Sequence, residues 1–179
     1  MRKFLSKFTV FDLCIIAMMA ALGVAVKPLV TTLIHLITGP LFIPGGAIAG
    51  GFYMMWIVLG AAICKKHGVA ALIGIVQAVL VIAIGVYGTH GAVSLVTYSL
   101  PGIAVDLVLL ATRLDPRDKM AMFLGGIAAN LCGVVLTNVV FFRLPAFPLM
   151  LCLCAGALSG ALGGLLAYLI ASRFKKIRV

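Results

Sequence analysis

Glutamate is absent from this chain, and aspartate occurs only at Asp12, Asp106, Asp115 and Asp118. Charged residues make up 10% of 179 positions. Paired-carboxylate catalysis therefore has no candidates at membrane depth, where Asp106 stands alone. A Gly-x-x-x-x-Gly-Lys-Ser/Thr loop is missing, so the chain does not hydrolyse ATP by that route, and there is no His-Glu-x-x-His helix to hold a catalytic metal. The five cysteines (Cys14, Cys64, Cys132, Cys152 and Cys154) form no Cys-x-x-Cys pair with matching histidines. They read as small apolar fillers and not as a zinc framework. The expectation is a protein with no catalytic residues, metal site or cofactor of its own.

Apolar sequence, in contrast, is abundant. Hydrophobic residues are 64% of the chain, more than a soluble domain of this length can hide in one core. Lipid makes such a composition workable, because a helix of roughly 20 apolar residues crosses about 30 Å of hydrocarbon. Six such runs are legible, at about Val10–Val26, Ala47–Cys64, Val69–Val86, Ala92–Thr112, Met120–Phe142 and Phe147–Ala171. Lys27-Pro28 is expected to end the first span. Leu29–Thr38, too short to cross, is expected to be a surface or re-entrant piece before the Gly39-Pro40 and Pro44-Gly45-Gly46 punctuation. The reading is an all-α integral membrane protein: one domain, residues 1–179, built as a bundle of six transmembrane helices.

The net charge of +10 sits in clusters between apolar runs. That is the pattern of cytoplasmic loops and not of a nucleic-acid groove. With the N-terminus inside, twelve Lys and Arg fall on one face of the membrane. They lie near the N-terminus, at Lys65-Lys66, in Arg113–Lys119 and in the tail, and only Lys27 and Arg143 fall on the other face. Both termini are therefore expected in the cytoplasm of a multi-pass cell-membrane protein.

Polar residues at membrane depth are costly and turn toward a bundle interior or a water-filled cavity. Asn130, Thr137 and Asn138 share a face of the fifth span, suited to a small polar heterocycle or to inter-helix hydrogen bonds. Ser94, Tyr98, Gly102 and Asp106 repeat at four-residue steps on the fourth, with Pro101 loosening the helix between them. Asp106 is assigned a structural or coupling role. Tyr53 and Trp56, one turn apart on the second span, can stack on a flat ligand. Gln77, Tyr87 and His90 complete the set of candidate binding residues, Tyr53, Trp56, Gln77, Tyr87, His90, Tyr98, Asn130 and Asn138. Lys27, His35 and Arg143 sit near the outer loops, where Lys27 or Arg143 either receives an anionic group or snorkels. Ala17, Ala21 and Ala25 repeat every four residues on the first span, and Gly156, Gly160 and Gly164 on the sixth. Such stripes let helices approach closely.

Together these features resemble the substrate-binding S component of an energy-coupling factor (ECF) vitamin transporter. The residues that carry the likeness are Ala17-Met18-Met19-Ala20-Ala21-Leu22-Gly23-Val24-Ala25, the Gly39-Pro40 loop, Ala61-Ala62 through Lys65-Lys66-His67-Gly68-Val69-Ala70-Ala71-Leu72, and Gly102–Arg113. The last two segments are closest to thiamine or hydroxymethylpyrimidine-type S components. The resemblance implies capture of a vitamin or precursor from outside. It also implies partnership with a transmembrane coupling protein, docked on Ala17, Ala21 and Ala25, and with two ATPase subunits. The sequence departs from that subfamily in lacking its glutamates, so a neutral or anionic vitamin precursor stands level with thiamine as cargo. A small membrane adaptor without a ligand is the alternative.

Overall fold

The computed structural model describes residues 7–38, 45–85 and 93–177, apart from the side chains of a few residues near the ends of the first and last helices. Among these residues there are six helices and no strand. They are α1 (Val10–Thr38), α2 (Gly45–Cys64), α3 (Val69–Ile84), α4 (Ser94–Thr112), α5 (Lys119–Thr137, continued as a π-helical turn over Asn138–Phe142) and α6 (Ala146–Ile177). Five are long and apolar enough to cross a membrane, and α3 is a shorter apolar helix. Large apolar side chains cover the outside of the bundle, among them Leu29, Leu36, Phe147 and Leu158. Water would penalise each of them and lipid does not.

The first helix corrects the sequence reading. It does not end at Lys27-Pro28, and Leu29–Thr38 is neither re-entrant nor a separate surface piece, because the helix runs through Pro28 to Thr38. Proline at this position removes only the bond to the Val24 carbonyl. On the next turn the Thr31 and Thr32 hydroxyls donate to the Lys27 and Pro28 carbonyls, at 2.6 and 2.8 Å. These bonds keep both hydroxyls satisfied within the helix, so that neither is an unmet polar group in lipid.

Helix α2 is the axis of the bundle. Its apolar window is 72% buried, against 22–33% for the other four spans, and it packs on α1, α3, α5 and α6. Glycine makes the closest of these approaches possible. Gly51 of α2 lies against Ser159 and Gly163 of α6, while Gly126 of α5 lies against Gly160 and Gly164. The glycine stripe of the last helix is thus internal packing, with backbones close enough for dispersion contacts that side chains would block.

The described members of the basic clusters share one end of the molecule. Lys66 donates to Asp12 at 2.6 Å and to the Lys7 carbonyl at 2.9 Å. Arg117 reaches the Ala62 carbonyl. Asp106 also works near this end. Its carboxylate accepts the backbone N–H groups of Gly68 at 3.0 Å and Ala71 at 2.8 Å, capping α3 from a neighbouring helix. Gly68, in the left-handed region at the N-cap position, has no side chain to do so.

Candidate functional site

The opposite end of the bundle holds a cavity of about 410 Å³, within the range of small-molecule sites. All six helices contribute to its wall. Helix α1 brings Gly23, Lys27 and Thr31; α2 brings Gly46, Tyr53 and Met54; α3 brings Gln77. Helix α4 adds Thr97 and Tyr98, and α5 with its π-helical turn adds Thr137, Asn138, Phe141 and Phe142. Leu144 and two residues of α6 close the remainder.

The cavity gathers Tyr53, Gln77, Tyr98 and Asn138 from the sequence-derived set. Tyr53 donates to the Gly46 carbonyl at 3.1 Å, which fixes its ring against the wall. Gln77 is buried, and its amide packs against Gly23, which leaves no room for a side chain there. The Oδ1 of Asn138 accepts the Leu144 N–H at 2.8 Å. The Arg143 N–H bonds back to the Asn138 carbonyl at 2.7 Å, the five-residue step of a π turn. This single wide turn ends α5 and puts Phe141 and Phe142 on the cavity wall.

Two of the candidates are placed elsewhere. Asn130 is fully buried, and its Nδ2 donates to the carbonyls of Ala47 at 3.0 Å and Gly156 at 2.8 Å. It joins α2, α5 and α6, and with its amide nitrogen spent on two helices it does not line the cavity. Trp56 packs against the hydrophobic core, one turn too far along α2 to reach the site. Tyr87 and His90 lie outside the described residues. Ala17, Ala21 and Ala25 are exposed on the side of α1 that faces away from the bundle, while Ile16, Met19 and Ala20 turn inward.

Two wall residues lie outside the set of candidate binding residues, Thr97 and Lys27. The Thr97 hydroxyl is buried with no hydrogen-bond partner among the described residues. It also lies one turn before Pro101, which has no N–H to give the Thr97 carbonyl. Lys27 is on the wall of the cavity and not in a rim loop, a direct consequence of α1 continuing through Pro28. Its Nζ donates to the Tyr98 hydroxyl at 2.6 Å and lies 4.1 Å from that ring's centroid and 5.3 Å from the Tyr53 ring. The signal was in the sequence: a lysine one helical turn beyond Gly23, within an apolar run that never stops.

A lipid-facing helical bundle around a partly open, mostly apolar cavity is the architecture of a multi-pass membrane protein. The chain belongs to the family of permease components of ABC-type cobalt transport systems, whose model matches residues 11–132. Its fold is similar to a crystal structure of an S component of an ECF transporter, with a TM-score of 0.80 and 22% identity, over 96% of this chain and 88% of that one. No curated protein matches the chain.

Proposed function

We propose that this chain is the substrate-capturing S component of an ECF-type, ATP-driven importer, taking a vitamin or vitamin precursor from outside the cell. One observation carries the reading: the cavity lies at the end of the bundle away from every described basic cluster. By the positive-inside tendency that end faces outward, and both termini face the cytoplasm. The buried, unpartnered Thr97 hydroxyl favours a ligand over a passive adaptor, since an unmet donor in a dry site costs about 1–3 kcal/mol until something bonds it.

Cobalt, the cargo in the family's name, suits this cavity poorly. Among the described residues no group of three or more His, Cys, Asp or Glu could hold a metal ion, and the described wall offers Cys152 alone beside a lysine. Phe141, Phe142, Tyr53 and Tyr98 suit a flat organic molecule better.

Energy would come from partners: a transmembrane coupling protein and two ATPase subunits. The exposed side of α1 with Ala17, Ala21 and Ala25 is the docking face in this reading, because methyl side chains let a second helix approach closely. Ala21→Phe in whole cells is expected to cut uptake about tenfold or more, because a bulky ring blocks the close helix approach that small side chains permit, and tenfold is about 1.4 kcal/mol. The purified variant should still be stabilised against heat by the same ligand as the parent. Loss of binding and uptake together would instead make this face part of the fold.

A further inference from the structure

Lys27 has no counter-ion. The chain holds only four carboxylate side chains, and the structure accounts for all of them elsewhere. Asp12 pairs with Lys66, Asp106 caps α3, and Asp115 and Asp118 sit in the loop between α4 and α5. The segments of chain outside the description contain neither aspartate nor glutamate, so no acidic side chain can be hidden near the cavity. What the ammonium meets is the oxygen of Tyr98 and two aromatic faces. These soften the cost of a partly buried charge but do not neutralise it. Thr97, its hydroxyl unspent, stands on the same wall next to Tyr98.

We infer that the cavity selects a small aromatic or heterocyclic molecule bearing one anionic group, a carboxylate or a phosphate, and that Lys27 supplies the missing charge. This rests on the ligand-capture reading above and narrows it to a substrate class. The anion completes an ion pair that the fold leaves half-made, with Thr97 and Gln77 available to the remaining acceptors. The ring lies between Tyr53, Phe141 and Phe142. A cation such as thiamine would meet Lys27 as a like charge, with no carboxylate in the chain to offset it.

The test uses full-length protein purified from membranes in mild detergent. Small molecules that co-purify are released by heat and identified by mass spectrometry. In parallel, melting is followed with acid–amide pairs that differ only in charge (nicotinate and nicotinamide, biotin and biotinamide, lipoate and lipoamide), with thiamine as the cationic probe. The expected result is a co-purifying acid, or an acid from the pairs bound about tenfold or more tightly than its amide, the scale of one charge-assisted hydrogen bond. Lys27→Met should erase that preference and Lys27→Arg should keep it. Ligand-free Lys27→Met should melt no lower than the parent, because it removes an unpaired charge, so lost binding is not lost folding. A neutral or cationic ligand held equally by the parent and Lys27→Met overturns the anionic assignment and leaves ligand capture standing. If no small molecule co-purifies and no probe of any charge shifts melting, the capture reading fails and this inference with it.

Discussion

Gly126→Ala is expected to destabilise the protein by about 3 kcal/mol or more, while Gly125→Ala, one residue earlier, is neutral or gains about 0.5–1 kcal/mol. The two glycines are both buried in the middle of α5. A methyl group at Gly126 would run into the Gly160 carbonyl oxygen and would lie 2.9 Å from the Gly164 nitrogen. Both are backbone atoms of α6 and cannot rotate away, so the helices must separate. A methyl group at Gly125 would meet only the Val105 and Val58 side chains at 3.5–3.8 Å, which is ordinary contact. There alanine improves helix propensity at no steric cost. Thermal melting of both variants in the same detergent decides the matter. Equal melting temperatures would mean that the close packing of α5 on α6 is not what holds the bundle.

Asp106→Ala is expected to cost about 2–4 kcal/mol, because it strands two N–H groups at the start of α3 and removes a negative charge from the positive end of that helix. Asp106→Asn should lose roughly half as much, since its amide can accept one of the two bonds and not both. Ligand affinity of the folded fraction should be unchanged in either variant. Asp106 lies two turns along α4 from Tyr98, about 12 Å at 1.5 Å per residue. A variant that melts like the parent but no longer transports would make this carboxylate a coupling residue instead of a cap.

Asp106 also shows how far the residues could be read before the fold was known. Its four-residue repeat with Ser94, Tyr98 and Gly102 placed it on an inward face, and a lone acid in an apolar run had to be satisfied by something. What satisfied it was a break between two other helices, 35 and 38 residues away in sequence, and no local pattern reports that. Asn130 and Asn138 illustrate the same limit. They share a helix face and a chemistry, yet one bonds α2 to α6 and the other shapes the rim of the cavity through a π turn. Which neighbour faces an amide depends on the crossing of helices, not on the period of one.

The position of Lys27 is hidden in the sequence for a different reason. Lys-Pro reads as a stop because in water a proline costs about 3 kcal/mol within a helix. In lipid the alternative, unwinding the backbone among hydrocarbon chains, costs more per residue than one lost hydrogen bond. The helix therefore continues, and the lysine moves from an exposed rim to the wall of the cavity.

The solvent of this protein, its helical class and the single basic end were determined by sequence alone, because lipid exposure and charge asymmetry act on runs of residues and need no knowledge of which run touches which. The shortage of acids was also legible in the sequence, as a count of four aspartates and no glutamate, but only the fold shows that none of them meets Lys27. The identity of the cavity wall, the cap on α3 and the division of the asparagines between packing and binding were decided only by tertiary structure. Each depends on contacts between helices far apart in the chain, which the glycine-lined crossings of α2, α5 and α6 set to within an atom's width.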